Sequence, residues 1–239
     1  MADRYYVDQP IAFEPGGATR VTLAGSEAHH LIHVMRATVG TSVTLFDGSG
    51  AEFPAEVQRV GRAEIELAVL QRDEVDRELA RYVTLAVALP KGDRQRWLVE
   101  KAVELGMTKL IPLATTRSVA QPVRHVLDRL RRAVVEASKQ CGRNRLMRIA
   151  EPIDLPALIA ATREEPHRWL AHPGFSDGTE EHPLPMPGAR VFMAVGPEGG
   201  FTAEEVALAA AAGWQPIHLG SRILRTETAA LAMAVLASR

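Results

Sequence analysis

Val191-Phe-Met-Ala-Val-Gly-Pro-Glu-Gly-Gly-Phe-Thr202 is the stretch that decides the fold of the second half of the chain. Its five leading apolar residues predict a buried strand, and the glycine-rich bend 196–200 follows them directly. Thr202 and Glu205 have the spacing of a capping box, so a helix is predicted to begin there. In an α/β fold such a bend lies at the carboxyl edge of the sheet, where ligands bind. A tight turn without a ligand is equally compatible with this composition.

A second bend near the end of the chain repeats this design. Residues 216–219 predict a strand, Gly220 follows it, and a helix is predicted from about Thr226. Between them, Arg222 and Arg225 flank an apolar pair that could pack on an aromatic ring while an arginine meets a carboxylate, phosphate or base oxygen. A surface loop with solvated arginines is the alternative. Neither bend has the GxxxxGK[ST] pattern, and no strand leads into GxGxxG, which disfavours nucleoside triphosphates and dinucleotides.

Outward from these bends, strand-like and helix-like segments alternate along residues 83–239. This alternation predicts an α/β domain with a mostly parallel sheet covered on both faces. The predicted strands are 83–89, 109–113, 168–171, 190–195 and 216–219. The predicted helices are 93–105, 124–140, 155–161, 203–212 and a terminal helix.

The first part of the chain has a different pattern. Short β-branched runs separated by Gly, Asp and Ser predict a small barrel-like β domain. The predicted strands are 21–23, 42–46, 53–60 and 63–70, and one helix, 26–35, is predicted to start with Ser26 as its cap. The charged segment 71–81 reads as a solvated connector, so the predicted domains are 1–72 and 73–239.

Composition excludes several classes of protein. The 239 residues include 28 basic and 29 acidic residues, so a polycation that coats nucleic acid is disfavoured. Cys141 is the single cysteine, which excludes an internal disulfide. The sequence has neither a signal-peptide layout at its start nor an apolar run of membrane-spanning length. A soluble cytoplasmic protein is expected.

Several segments together resemble the ribosomal RNA small subunit methyltransferase E family of the SPOUT superfamily. Gly-Pro-Glu-Gly-Gly-Phe (196–201), Leu-Gly-Ser-Arg-Ile-Leu-Arg-Thr-Glu-Thr-Ala (219–229), Lys-Gly-Asp-Arg (91–94) and Val-Glu-Lys-Ala-Val-Glu-Leu-Gly (99–106) resemble its catalytic domain. Arg-Tyr-Tyr-Val (4–7) and the segment 29–36 resemble its N-terminal RNA-binding domain. The chain departs from the family pattern at Cys141, where serine is expected, and at Leu146-Met147, where Val-Pro is expected.

The resemblance implies a fold, a reaction and partners. It implies a small PUA-like β-barrel domain (1–72) that binds RNA, followed by a C-terminal SPOUT α/β domain (73–239) with a trefoil knot. It also implies a homodimer that uses S-adenosyl-L-methionine (SAM) to methylate N3 of one uridine in the 16S rRNA of the small ribosomal subunit, without a metal. The implied cofactor-binding residues are Leu170, Ala171, His172, Gly196, Gly199, Gly200, Leu219, Gly220, Ile223, Leu224 and Thr226.

Two residues are candidates for the chemistry. A sulfonium methyl group is already activated, so the protein must mainly position the base and stabilise charge. Arg225 is the candidate for contacting the uracil oxygens, and Glu198 or a water for accepting the N3 proton. Both residues could instead be structural. Methylation at C5 would need a cysteine nucleophile, and Cys141 lies away from the bends.

A basic segment, 124–148, indicates RNA contact. It contains eight basic residues and two acidic ones, a charge excess that is typical of phosphate-binding surfaces. A solvated helix face is the alternative. The eight are Arg124, Arg129, Arg131, Arg132, Lys139, Arg143, Arg145 and Arg148. With the resemblance included, the candidate RNA-binding residues are Arg4, Arg20, His29, His30, Arg36, Lys91, Arg94, Arg117, Arg143 and Arg145. A metal held by His29 and His33 is disfavoured because no cysteine or carboxylate cluster completes it.

Two other functions remain open from the residues alone. One is a related knotted methyltransferase that acts on tRNA or on a ribose 2′-hydroxyl. The other is an RNA-binding module without catalysis, against which the intact glycine bends weigh.

Overall fold

The computed structural model describes residues 3–118, 123–173 and 185–238. The chain divides into two compact units, Met1–Glu78 with Ser138–Leu146 and Leu79–Ala137 with Met147–Arg239. The first unit thus includes residues 73–78, beyond the predicted boundary at residue 72, as well as the later segment Ser138–Leu146. Part of the predicted connector belongs to the first unit because Asp73–Glu74 pairs as a strand with Ala51 and Glu52.

The first unit is built on a six-stranded sheet. Its strands are β1 (Arg4–Tyr6), β2 (Arg20–Ala24), β3 (Ser42–Phe46), β4 (Ala51–Val60), β5 (Glu64–Val69) and β6 (Asp73–Glu74). The order is β1-β3-β4-β5-β2, with β6 on β4, and only the β1–β3 pair is parallel. All four predicted strands are present. The short strands β1 and β6 were not predicted, because runs of two or three residues carry no alternation.

The core of this unit follows the period-two pattern of its strands. Along β4 buried residues alternate with partly exposed ones from Ala51 to Val57, and β5 alternates in the same way. Tyr5, Leu45 and Phe53 are almost fully buried in this core. One face of the sheet therefore supplies the apolar interior.

The predicted helix 26–35 is two elements. Helix α1 (Gly25–His29) continues into a π-helix at His30–Val34. Ser26 is not its cap: the residue before the helix is Ala24, and no side chain caps it. The helix ends before Arg36, which adopts a left-handed conformation with φ of 54°. π-Helical turns and non-glycine residues at positive φ are both uncommon and concentrate at functional sites.

The second unit is a parallel α/β layer structure. Its strands are β7 (Tyr82–Val87), β8 (Lys109–Ala114), β9 (Arg148–Ile149), β10 (Ile153–Asp154), β11 (His167–Ala171), β12 (Arg190–Val195) and β13 (Gln215–Ile217). Its helices are α2 (Arg94–Glu104), α3 (Arg124–Cys141), α4 (Leu155–Ala161), α5 (Ala203–Ala211) and α6 (Thr226–Ser238), although the last turn of α3 groups with the first unit. The sheet order is β10-β8-β7-β12-β11-β13, with β9 on β8, and every pair is parallel.

Helices cover both faces of this sheet, as predicted. On one face, Phe192 and Ala194 belong to a core cluster that includes residues of α4 and α5. Met193 points to the opposite face and is equally buried, where α6 contacts β7, β11 and β12. Because β12 lies in the middle of the sheet and is buried on both faces, its carboxyl end opens onto the edge where the predicted bends lie. Among the described residues, no helix is both long and apolar enough to cross a membrane.

Candidate cofactor and substrate site

A cavity of about 220 Å³ opens at the carboxyl ends of β11, β12 and the segment after β13. Three segments line it: residues 171–173, 195–201 and parts of 219–229. Of the predicted cofactor and catalytic residues, those that line it are Ala171, His172, Gly196, Glu198, Gly199, Gly200, Leu219, Gly220, Ile223, Leu224 and Thr226. The two glycine bends, about twenty residues apart in sequence, thus share one cleft.

The cavity also includes residues outside the list of predicted cofactor-binding residues. Pro197 and Arg222 lie within the two predicted bends, and Arg222 was already a candidate for meeting a polar group of a ligand. Pro173, Val195 and Phe201 directly adjoin predicted residues. Ala229 lies in the first turn of α6, three residues after Thr226.

Hydrogen bonds join and shape the two bends. The Thr226 hydroxyl donates to the Gly196 carbonyl at 3.3 Å, so the first residue of α6 is tied to the end of β12. Gly200 N–H donates to the Pro197 carbonyl at 2.8 Å, and Gly200 has φ of 68°, which glycine tolerates best. The predicted capping box of α5 is present, with Thr202 and Glu205 each bonding the other's backbone N–H.

Gly196 allows a close approach that a larger residue would prevent. A Cβ atom built on Gly196 would lie 3.2 Å from the ring and the backbone nitrogen of Phe201. Phe201 is buried and belongs to the core cluster beneath the cavity. Glycine at this position therefore lets the bend fold back onto its own core.

Three charged side chains meet beside the cavity. Arg94 Nη1 lies 3.3 Å from Glu227 Oε1, and Arg94 Nη2 lies 3.7 Å from Glu198 Oε1. The Glu227 side chain is only 8 % exposed, whereas the Arg94 and Glu198 side chains are 41 % and 46 % exposed. Arg94, predicted as an RNA-binding residue, is therefore held between two carboxylates at the rim of the cleft.

Two predictions for this cleft are not supported by the geometry. Leu170 is a core residue, 1 % exposed and packed with the cluster under the sheet, because it lies inside β11 before the strand ends. Arg225 is exposed and is not among the cavity-lining residues. The sequence placed it beside Thr226, but the chain turns it outward at the start of α6.

Arg117 also has a structural partner. Its Nη1 donates to the Gly199 carbonyl at 2.6 Å, and its side chain covers the Gly199 Cα. It was predicted to bind RNA. Its observed contact supports the backbone of the first bend.

In the first unit, two predicted RNA-binding arginines are buried in ion pairs. Arg4 is 8 % exposed at its side chain and pairs with Glu52 at 2.5 Å. Arg143 is 4 % exposed at its side chain and donates from Nε to Glu78 at 3.0 Å. Buried charges of this kind need their partners, so the structure gives these two arginines a structural role and leaves little of either side chain exposed for RNA.

The remaining predicted residues of this unit are at the surface. Arg20, His29, Arg36 and Arg145 are exposed, and His30 Nδ1 lies 3.3 Å from the Tyr5 hydroxyl. Burial, with the charges of Asp3 and Glu27, raises the pKa of Tyr5, so that hydroxyl stays protonated. Lys91 in the second unit is also exposed.

Of the basic side chains described in segment 124–148, only some are exposed without an acidic partner. Arg131 pairs with Asp128 and Glu151, and Lys139 pairs with Glu27 at 2.9 Å. Arg124, Arg129 and Arg132 are exposed on α3, and the ion pairs found within the described ranges do not include them.

No group of three or more metal-ligating side chains was found in the part of the chain that the structure describes. The His29 and His33 rings lie 4.8 Å apart between centroids and form a tilted ring contact.

Comparison with known proteins agrees with this arrangement. The family described as RNA methyltransferase domain matches residues 77–238, and the RNA methyltransferase PUA domain matches residues 23–70. The fold and the cleft thus define an RNA methyltransferase with a PUA domain.

Named relatives narrow the class. The ribosomal RNA small subunit methyltransferase E of Synechocystis is 34 % identical over 87 % of this chain and 69 % of its own length. That of Bacillus subtilis is 30 % identical over 90 % of this chain and 88 % of its own length. The chain belongs to the ribosomal RNA small subunit methyltransferase E family.

Solved structures show the same fold. A Legionella pneumophila methyltransferase in complex with the bound cofactor SAM has a TM-score of 0.88 at 31 % identity, covering 99 % of this chain and 97 % of that one. The ribosomal RNA small subunit methyltransferase E of Neisseria gonorrhoeae, bound to S-adenosyl methionine, has a TM-score of 0.84 at 32 % identity, covering 98 % and 96 %.

Proposed function

We propose that this protein transfers the methyl group of SAM to N3 of one uridine in the 16S rRNA of the small ribosomal subunit. The main support for this proposal is the cleft between the two glycine bends. It lies at the carboxyl edge of a parallel sheet, where such folds bind ligands, and relatives that share the whole fold are solved with SAM.

The residues of the cleft suit this cofactor. Its walls combine small and apolar residues with backbone groups of two bends, which can pack against the nucleoside and the methionine chain of the cofactor. Bound SAM would supply an activated methyl group on sulfur. We assign cofactor binding to the predicted residues that line the cleft. Leu170 is not among them, because its side chain is packed in the core.

Catalysis then requires a proton acceptor and a group that stabilises negative charge. Glu198 lines the cleft and is about half exposed, so it is the proposed acceptor of the N3 proton, directly or through a water. The electron pair left on N3 forms the new bond to the methyl carbon, and the pair of the broken carbon–sulfur bond stays on sulfur. Cys141, the single cysteine of the sequence, is not among the residues that line the cleft.

The assembly and site of action belong to the same proposal. We infer a homodimer, because α2 and α6 pack together and present Trp97 and Val235 partly exposed, 43 % and 38 %. We infer a trefoil knot from the family to which the chain belongs, and the hydrogen bond from Thr226 to Gly196 holds together the two bends that such a knot would bring side by side. A cytoplasmic enzyme follows from a substrate in the ribosome.

Mass spectrometry of rRNA nucleosides tests the reaction. A strain lacking the gene is expected to lose one N3-methyluridine from its 16S rRNA, and purified protein with SAM is expected to restore it on small subunits from that strain. The same reaction with heat-inactivated protein is the negative control. Persistence of the modified base in the deletion strain would refute the substrate, and appearance of the methyl group in tRNA or on a ribose would favour the related enzymes instead.

A further inference from the structure

The Arg94 side chain joins elements that are far apart in sequence. It starts at the first residue of α2, reaches Glu227 in the first turn of α6, and extends toward Glu198 in the first bend. Arginine carries five N–H donors in a planar fork, and the two contacts use only part of that fork. With 41 % of its side chain exposed, Arg94 keeps donors available at the rim of the cleft.

Glu227 is the stronger of the two anchors. It is nine-tenths buried, accepts from Arg94 at 3.3 Å, and has one oxygen that is buried without a hydrogen-bond partner in the described part of the chain. A buried carboxylate is costly unless it is paired, so Arg94 is held on Glu227. The 3.7 Å separation from Glu198 is longer than a hydrogen bond, so the Glu198 carboxylate, which lines the cleft, keeps its acceptor oxygens for a ligand.

We propose that Glu198 and Arg94 together recognise the imide edge of the target uracil, a role that rests on the proposed function. That edge has a donor, N3–H, next to an acceptor, a carbonyl oxygen. The Glu198 carboxylate accepts from N3–H, and the neighbouring Arg94 guanidinium donates to the carbonyl. As the proton moves from N3 to Glu198, negative charge spreads onto that oxygen, where Arg94 stabilises it. Glu227 acts through Arg94 as a positioning residue.

This pair would also distinguish uracil from cytosine. Cytosine has an acceptor at N3, so the Glu198 carboxylate would face another acceptor. It also has an amino donor at C4, so a guanidinium that donates to O4 of uracil would face another donor. A site built to hydrogen-bond one edge rejects an analogue that leaves its polar groups unpaired. The assignment moves charge stabilisation from Arg225, which lies outside the cavity lining, to Arg94.

Kinetics of Arg94→Ala and Arg94→Lys test the proposal. With SAM and small subunits from a strain lacking the gene, Arg94→Ala is expected to lower kcat by about 100-fold, the usual effect of removing one donor to a developing oxyanion. SAM affinity by calorimetry should be unchanged, and Arg94→Lys should recover part of the rate. The pH at which kcat reaches half its maximum should rise in Arg94→Ala, because uracil N3 loses its proton less readily without the guanidinium.

Matched variants separate catalysis from folding. Arg96→Ala removes an exposed arginine that pairs with Glu100 on the same helix, and should behave as the wild type. If Arg94→Ala does not fold, the double variant Arg94→Gln, Glu227→Gln leaves no unpaired buried charge and should show the same loss of kcat with SAM binding retained. Glu227→Gln alone should lower kcat in the same direction, with the same rise in the pH profile.

Two results would overturn the proposal and can be told apart. Wild-type protein that fails to methylate uridine would refute the proposed function, and this role with it. Normal uridine methylation by the wild type together with an unchanged kcat in Arg94→Ala, or in the double variant, would refute this role alone.

Discussion

Glu52 holds two arginines of the first unit with a single carboxylate oxygen. Arg4 Nη1 and Arg77 Nη1 each lie 2.5 Å from Glu52 Oε1, and Arg4 also donates to Asn144 at 2.5 Å. Burial alone would raise the pKa of Glu52, but the hydrogen bonds from Arg77 and Arg4 outweigh it and lower the pKa. Arg4 is therefore a structural residue, and its partners lie too far along the sequence for a local pattern to reveal them.

The Glu52 contacts predict a pH-dependent contribution to stability. Because its folded-state pKa is lowered, the contribution is present above the ordinary pKa of 4.5 and is lost as the pH falls through the folded-state pKa. Glu52→Gln should lower the free energy of unfolding by about 2 kcal/mol at pH 7, as for hydrogen bonds to charged groups. Urea denaturation at pH 7 and at about pH 2 should show this difference shrinking in acid. Glu56→Gln on the same strand is the control, and an equal loss at both pH values would contradict the assignment.

At the scale of elements, features that depend on neighbouring residues could be predicted from the sequence, and contacts between distant segments could not. The glycine bends, the Thr202–Glu205 capping box and the helices of the second unit were predictable because each depends on neighbouring residues. The meeting of Arg94 with Glu198 and Glu227 was not, since it depends on which strands and helices become neighbours. For the same reason, the run of basic residues at 124–148 indicated RNA contact at Arg143, whose side chain is buried in an ion pair with Glu78.

The first bend should fail as a cofactor site if Gly196 gains a side chain. Gly196→Val would place atoms against Phe201, where even a Cβ lies at 3.2 Å, and should push the bend into the cleft. Calorimetry is expected to show no SAM binding by this variant. Ala210→Val, at an exposed position of α5, adds similar volume elsewhere and should bind normally. Normal SAM affinity in a folded Gly196→Val protein would remove this bend from the site.

For the whole molecule, the formal net charge of −1 means that RNA affinity must come from a local surface. The number of basic residues in segment 124–148 is larger than the number available to RNA, because Lys139 and Arg143 form ion pairs within the first unit. Sequence gives the sum of the charges but not their partners. What remains exposed on α3 is a smaller set that includes Arg124, Arg129 and Arg132.

The salt dependence of binding to small subunits measures whether that face touches phosphate. The slope of log Kd against log salt should fall by about 0.7–0.9 in Arg129→Gln, and by a similar amount in Arg132→Gln. Each lost phosphate contact leaves one phosphate with its counterions, so fewer counterions are released on binding. Arg163→Gln, exposed after α4, should leave the slope unchanged. Filter binding between about 50 and 200 mM salt, the range in which counterion release is commonly followed, gives the slopes. Identical slopes for the α3 variants and the wild type would show that this helix face is solvated surface. RNA contact would then rest on the other exposed cations, such as Arg20, Arg36 and Lys91.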